Sequence, residues 1–521
     1  MQNKREMARS ASRVGLWTLA SRVMGLARDS VVAKIFGVGF ATDAFMVAFT
    51  IPNLLRRLLA EGALSIAFVP SFTEIFSKRS REEFHETFRV VFTAFSVLLV
   101  GVSLLGILMA PWVVKLFAPG FDLEKYQLTT QLTRIMFSFI FFMGSSAVVM
   151  GVLNTVKSFS IPAAAPVLLN LSIILCACFL SQFIHPPILS LAIGVLLGGF
   201  TQWGLQIWKV HQLGFNIGFK WDWHHPVLRK IFWLMSPTIF GVAVYHLNVM
   251  ISRALASLLP QGSVTYLYYS DRFLEFPLGI FAVSVATVAL PQLSQDAADG
   301  RFDHLKKNLL FALRLAAFDC IPSMIGLMIL RVPLLSLVFQ HGKFTFGNTL
   351  ELAHVFLMAS LGLCAIASLR IIVQAFYSMG DIKIPVKTAC VGLVVNSGLG
   401  FFLMKKMGPS GLTLASSVSV WFQCFLLLFF LKKRVGAFSL SEFFREISSI
   451  LLSAIVMGVF LWPLTLLNNR MLEMPFGIRV AYVLGSVALG LGVYVMMAYF
   501  LGLKELRVLV DRFFKKKSGS S

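Results

Sequence analysis

Uninterrupted apolar runs, each long enough to cross a bilayer, recur from one end of the chain to the other. A run of about 18 or more apolar residues reads as a membrane-spanning helix. No single soluble core could hide so many. Transmembrane β-strands would alternate weakly over roughly ten residues, whereas these runs are continuous. The fold class is therefore an all-α polytopic membrane protein. Composition agrees: of 521 residues, 57% are hydrophobic and 13% charged, against about 25% charged in a typical soluble domain. About fourteen spans can be counted. The first two have cores near 12–35 and 41–70, the seventh and eighth near 231–258 and 265–292, and the last two near 447–468 and 478–501.

The formal charge is +22. Nucleic-acid binding would need a basic surface patch. Most Lys and Arg residues sit instead in short loops between apolar runs, so no nucleic-acid partner is expected. With the N-terminus placed in the cytoplasm, that side collects Lys78, Arg79, Arg81, Lys157, Lys209, Lys220, Arg229, Lys230, Lys306, Lys307, Lys432, Lys433 and Arg434. The opposite side holds fewer, including Lys125, Arg331, Lys343, Lys405 and Lys406. Positive charge marks the cytoplasmic side, so both termini are expected there. The first residues do not read as a cleavable signal peptide. Lys4, Arg5 and Arg9 are followed by Arg13, Arg22, Arg28 and Asp29, too polar for its apolar segment.

An internal repeat is visible. PWVVKLFAPGF at Pro111 resembles PLLSLVFQHGKF at Pro333, pairing Phe117 with Phe339 and Gly120 with Gly342. Val69-Pro70 matches Leu290-Pro291, and Ser160-Ile161-Pro162 matches Lys383-Ile384-Pro385. The offsets are all about 222 residues, and parallel repeats of this kind are a transporter plan with the substrate site between the halves. The chain divides into an N-lobe at 1–220, a C-lobe at 221–435, and two additional spans with a basic tail at 436–521.

No catalytic constellation, nucleotide site, cofactor motif or metal spacing emerges. The six cysteines lie in or beside apolar runs and read as small buried hydrophobes. The informative feature is charge inside the spans. Such a charge costs at least about 2.5 kcal/mol to insert and so faces a cavity or a partner. The first span holds Arg13, Arg22, Arg28 and Asp29, the second Asp43, Arg56, Arg57 and Glu61, the seventh Arg253, the eighth Asp271, Arg272 and Glu275, and the tenth Arg370. Arginines outnumber carboxylates, which asks for an anionic substrate, and the planar guanidinium suits phosphate. Arg22, Arg28, Arg56 and Arg272 are the candidates to face it. Arg57 has Glu61 four residues on, and Arg272 has Glu275 three on, so internal pairing competes there. Asp29 points away from Arg28 on an ideal helix, so Arg28 is expected to find Asp43 or a substrate instead. Arg253 and Arg370 read as snorkelling residues. Pro52-Asn53 and Pro277-Leu278-Gly279 interrupt the apolar pattern of the second and eighth spans at matching depths, either as broken helices beside a binding site or as Pro kinks that neighbouring helices satisfy.

These residues carry a resemblance. Ser21-Arg22-Val23-Met24-Gly25-Leu26-Ala27-Arg28-Asp29, Ala41-Thr42-Asp43-Ala44-Phe45, Ile51-Pro52-Asn53-Leu54-Leu55-Arg56-Arg57 and Ala60-Glu61-Gly62-Ala63 resemble the signature of the bacterial lipid II flippase (MurJ/MviN) family. Tyr268-Tyr269-Ser270-Asp271-Arg272 and Asp381-Ile382-Lys383-Ile384-Pro385 extend the similarity along the whole chain. The resemblance implies the multidrug/oligosaccharidyl-lipid/polysaccharide exporter fold, with two six-helix lobes and two C-terminal helices. It implies a non-enzymatic transporter of the bacterial inner membrane. This would move undecaprenyl-pyrophosphate-linked peptidoglycan precursor to the periplasmic leaflet by alternating access, without ATP. In that family, arginines matching Arg22, Arg28, Arg56 and Arg272 line the cavity, with Asp29 and Asp43 also important. The last two spans are implied to hold the polyprenyl tail. Some relatives bind sodium through an acidic residue of the seventh span; here that span offers Asn248. Membrane lipids and cell-wall synthesis proteins are the other partners to consider. A flippase for another undecaprenyl-linked glycan shares the same chemistry. A multidrug antiporter of the superfamily would want buried carboxylates rather than arginines.

The expected topology is checked with reporter fusions. Those after Leu213 and Ser518 should read as cytoplasmic and one near Phe121 as periplasmic; a periplasmic C-terminus would overturn the even number of spans.

Overall fold

The computed structural model describes residues 2–56, 65–280, 291–436, 440–467 and 474–506. Every long element among them is an α-helix, as continuous apolar runs require where lipid offers the backbone no hydrogen-bond partner. In chain order these are α1 (Gln2–Phe36), α2 (Phe40–Arg56), α3 (Ser65–Lys78), α4 (Arg81–Phe117), α5 (Leu123–Phe137), α6 (Phe139–Thr155), α7 (Ser160–Phe179) and α8 (Leu189–Gln212). There follow α9 (Pro226–Ser257), α10 (Ser263–Ile280), α11 (Phe302–Phe339), α12 (Phe346–Ser360), α13 (Leu363–Ser378), α14 (Lys383–Met407), α15 (Pro409–Val435), α16 (Leu440–Leu461) and α17 (Phe476–Phe500). Ten spans among the described residues are long and apolar enough to cross a membrane. The other four expected spans fall on α1, α2, α9 and α10, which carry the intramembrane charges or include residues outside the described set.

The chain packs as two compact units, residues 1–265 with 341–344, and 266–340 with 345–521. In the first unit, a cluster of aromatic rings joins α3 and α4 to the segment after α8. Phe68 meets Phe95 edge-on with centroids 5.0 Å apart, and Phe84 meets Phe72 at 5.8 Å and Phe215 at 5.4 Å. Edge-to-face pairs of this kind add to burial because ring edges and faces carry opposite partial charge. Along α4 the opposite pattern appears: Leu104, Leu108, Trp112 and Leu116 are exposed at intervals of one turn. This is the stripe that lipid, rather than a protein neighbour, would cover. Its N-terminal end is capped by Ser80, whose hydroxyl accepts from the Glu83 amide at 3.2 Å.

The repeat is legible within each unit. α7 and α8 form the first unit's most extensive helix pair, and α14 and α15 do so in the second. Small residues let these backbones approach. A Cβ on Gly198 would lie 2.8 Å from the Leu169 Cα, and one on Gly194 would lie 2.9 Å from the Ile173 Cα. One span of each repeat is split at equivalent places: α5 gives way to α6 at Ser138, and α12 ends at Ser360. Pro111 within α4 and Pro333 within α11 correspond likewise. Contrary to the reading as broken helices, α2 runs through Pro52 and α10 through Pro277. A proline in a helix interior removes one hydrogen bond and can be absorbed when neighbours hold the helix together.

In the second unit, α11 is the organising helix. Arg314 binds Glu446 of α16, and its Nε lies 3.9 Å from the Glu505 carboxylate beyond α17. Pro322 has no N–H, so the Phe318 carbonyl of α11 loses its helical donor. The Tyr494 hydroxyl of α17 donates to that carbonyl at 2.8 Å, with its ring 5.3 Å from Phe318. Tyr494→Phe would leave a buried carbonyl unsatisfied. It should destabilise the purified protein by about 1–3 kcal/mol in denaturant unfolding; unchanged stability would show that the bond contributes nothing.

Candidate functional site

The first-unit arginines do not share one environment. Arg28 is 6% exposed. Its Nε and Nη2 both donate to Asp29 Oδ1, at 2.9 and 2.6 Å, and its Nη1 donates to Asn170 Oδ1 of α7 at 3.1 Å. The guanidinium also lies 5.7 Å from the Phe49 ring centroid. The expectation that Asp29 points away from Arg28 is thus corrected. An ideal helix separates neighbours by 100°, but the arginine stem is long enough to curl sideways around one turn. The pair is buried on both sides, so removing one member would strand a charge. Asn170 is itself fixed, its Nδ2 donating to the Ser21 and Pro166 carbonyls.

Arg22 lies six positions earlier on α1 and is partly buried. Among the described residues it has no ion pair or hydrogen bond. Arg56 sits at the end of α2, with its Nε donating to Asn53 Oδ1 at 3.0 Å. Arg57 and Glu61, the expected pair, lie outside the described residues. In the second unit, Arg272 of α10 pairs with Glu275 at 3.0 Å, as the spacing of three allows, and Asp271 beside it is exposed. Arg253 of α9 is 4% exposed, which corrects the snorkelling expectation. Its Nη1 reaches the Val264 carbonyl at 3.5 Å, the loose end of hydrogen-bond range. Arg370 is exposed, as snorkelling requires.

Asp43 is the most connected carboxylate of the first unit. It is 1% exposed and accepts from Gly262 N at 2.7 Å, Thr265 N at 3.0 Å, Thr265 Oγ1 at 2.7 Å and Lys125 Nζ at 3.3 Å. Gly262 and Thr265 flank the start of α10, where backbone amides have no helical acceptor. Asp43 therefore caps α10 with a carboxylate, and the helix dipole favours negative charge there. Lys125 is 5% exposed and completes the charge balance, its ammonium 4.6 Å from the Phe121 ring and 5.5 Å from the Phe40 ring. Asp43 and Thr265 are 222 positions apart, so equivalent positions of the repeat touch each other.

Two glycines of the repeat make matching contacts beside this hub. The Gly342 Cβ position lies 2.4 Å from the Lys34 carbonyl, and Lys343 N donates to that carbonyl at 2.9 Å. The Gly120 Cβ position lies 2.5 Å from the Ser257 carbonyl, and Gly120 N donates to Ser257 Oγ at 3.0 Å. Each turn thus seats its glycine on the end of a helix, α1 in one case and α9 in the other, and any side chain there would clash. Sequence reasoning missed Lys125, Asn170 and Thr265. The 222-residue offset pointed to Thr265 as the counterpart of Asp43; nothing local marked the other two.

A buried capped carboxylate, paired and unpaired intramembrane arginines and a duplicated helical array are now in place. The family model described as lipid II flippase MurJ matches residues 32–480. A probable lipid II flippase MurJ of Vibrio cholerae is 34% identical, over 97% of this chain and 99% of that protein. A solved lipid II flippase MurJ in an inward closed conformation superposes with a TM-score of 0.77 at 28% identity, covering 94% of this chain and 98% of its own. An inward-facing multidrug transporter of the MATE family, in the MOP superfamily, shares the fold with a TM-score of 0.68 at 12% identity, over 80% of this chain and 94% of that one. This chain is a multi-pass membrane protein that belongs to the lipid II flippase MurJ family.

Proposed function

We propose that the chain carries lipid II, the undecaprenyl-pyrophosphate-linked disaccharide-peptide, from the cytoplasmic to the periplasmic leaflet of a bacterial inner membrane. The observation that carries the reading is the partly buried Arg22, which has no partner among the described residues, in a family named for lipid II. An unpaired guanidinium at membrane depth is costly unless an anion reaches it. A pyrophosphate offers the oxygens that its planar fork matches. Arg56 would join Arg22 on the head group, and Arg272 of the second unit is proposed as a further substrate contact. Arg28 is already neutralised by Asp29, so it serves by shaping the site and supplying residual positive potential.

The division of labour follows the repeat, with lobes at 1–220 and 221–435. The segment 436–521 would supply the apolar surface for the polyprenyl tail, and both termini would be cytoplasmic. The Asp43 hub and the two glycine seats act as a periplasmic closure. To release the head group outward, the hub must open. It has four hydrogen bonds, one of them part of an ion pair. At about 1 kcal/mol net for each, opening costs several kcal/mol. Head-group binding can offset that, as can membrane potential, at about 2.3 kcal/mol per unit charge per 100 mV. A flippase for a different undecaprenyl-linked glycan would use the same pyrophosphate contacts. Export of cationic drugs is disfavoured by the arginines.

The direct test is depletion in cells: the lipid-linked precursor should accumulate on the inner leaflet, and its normal distribution would refute the reading. In vesicles, Arg22→Ala should lower lipid II translocation at least tenfold at unchanged unfolding stability, with Lys rescuing only part, since it lacks the fork. Arg28→Ala should instead cost stability, by about 3–5 kcal/mol, because the buried Asp29 loses its ion-pair partner. Equal stability losses at both positions would remove the distinction between them.

The closure is tested by a disulfide. Gly39, whose carbonyl accepts from Asp43 N at 3.0 Å, and Gln261, adjacent to Gly262, flank the hub. Gly39→Cys with Gln261→Cys, in a chain freed of its six native cysteines, should crosslink and stop translocation until reduced. Translocation at the normal rate in the crosslinked protein would exclude alternating access.

A further inference from the structure

Apart from the arginines, α11 carries a carboxylate inside its span. Asp319 lies on α11, twelve positions beyond Lys307, or about 18 Å along the axis. That places it near the middle of a hydrocarbon core about 30 Å thick. The residue is partly buried, and among the described residues its carboxylate has neither an ion pair nor a hydrogen bond. The nearest charged groups on α11 and its neighbours are engaged elsewhere. Arg314 is five positions away and holds Glu446 and Glu505, and Lys504 binds Glu446 at 3.3 Å. The titratable groups that face Asp319 are Tyr494 of α17 and Cys320, with Cys364 of α13 beyond it. Among the described residues, no Lys or Arg forms an ion pair with it.

The backbone at this point is also unusual. Pro322 deprives the Phe318 carbonyl of its donor, and Tyr494 supplies one from another helix. One turn beyond Asp319, Ser323 Oγ donates to the Asp319 carbonyl at 2.7 Å. A carboxylate, a hydroxyl one turn away and a proline-weakened stretch of helix therefore coincide. Oxygen ligands at broken or weakened helices are how membrane transporters hold small cations. An unpaired carboxylate at this depth must lower its charge, by taking a proton or by coordinating a monovalent metal ion.

We infer that Asp319 is a loading site for a monovalent cation, a proton or sodium, housed wholly in the second unit. Loading converts the carboxylate to a neutral carboxylic acid or to a neutral sodium carboxylate, and release restores one negative charge. Tyr494 acts as a positioning residue: it holds α11 to α17 at the weakened turn and leaves the Asp319 oxygens for the cation.

The test reads binding and needs no translocation. Purified full-length protein in lipid nanodiscs is examined by infrared difference spectroscopy for a protonated carboxyl band, and by equilibrium binding of radioactive sodium. For a proton site, a carboxyl band should titrate with pH and be lost in Asp319→Asn. It should return at a shifted frequency in Asp319→Glu, with no sodium bound. For a sodium site, about one sodium should bind per chain, falling at least tenfold in Asp319→Asn and weakening in Ser323→Ala. The Asn variant removes an intramembrane charge, so insertion should be retained, and circular dichroism checks it. A carboxylate that stays ionised with no bound sodium overturns the inference, as does a band or sodium signal that survives Asp319→Asn. A chain that loads the cation but moves no lipid II would refute the proposed function and leave this site standing.

Discussion

A single buried carboxylate fixes much of the first unit. Asp43 is almost wholly buried, and such a charge is tolerable only when its lone pairs are used and its charge is matched. Its partners come from two separate stretches: Lys125 of α5, and Gly262 and Thr265 at the start of α10. Each supplies something different. The lysine balances the charge, the two amides are helix-end donors without internal acceptors, and the threonine hydroxyl adds a fourth bond. The glycine seats at Gly120 and Gly342 lie at equivalent positions of the repeat and bring backbone directly against backbone. Polar contacts are thus concentrated at one level of the molecule. The surface of α4 beyond them is left to apolar side chains such as Leu108 and Trp112.

The arginines show why a count of charges is a weak guide to a binding site. Arg28 and Arg22 share a helix, yet one is closed into a pair with Asp29 and Asn170 while the other has no partner among the described residues. The difference is supplied by α7, which places Asn170 beside Arg28 and ties it to the α1 backbone at Ser21. A paired arginine keeps a site in shape; an unpaired one is free to meet an anion. The same logic separates Arg272, matched by Glu275 on a partly exposed face, from Arg253, buried and directed at a backbone carbonyl.

In the second unit, packing and electrostatics meet on α11. Arg314 joins the start of α16 to the segment after α17, and Tyr494 repairs the helix at Pro322 further along the span. Two helices with few polar groups of their own are thereby fixed at both levels. Their outward faces keep Leu452, Val459, Leu484 and Leu491 exposed, an apolar surface suited to lipid rather than water.

Much of this was decided by composition and order alone. Continuous apolar runs leave only helices as spanning elements, because backbone groups in lipid must bond within their own segment. The repeat was visible in short strings around Pro111 and Pro333, because a glycine that meets a helix-end carbonyl, at 120 and 342, is required twice. The arginine-rich first spans were also legible, since charge stands out against an apolar background. Which arginine is paired was not. Neighbours at one residue's spacing point apart on an ideal helix, and only the placement of α7 and the curl of a flexible side chain brought Arg28 onto Asp29. Lys125, Asn170 and Thr265 carry no local signature, because their roles depend on partners 82, 142 and 222 positions away. Pro52 and Pro277 looked like breaks and proved to be interior residues, for a helix held by its neighbours can lose one bond without ending. Sequence determines which segments must be helical and where charge is carried into them; tertiary contact decides which of those charges is neutralised and which is left for a ligand.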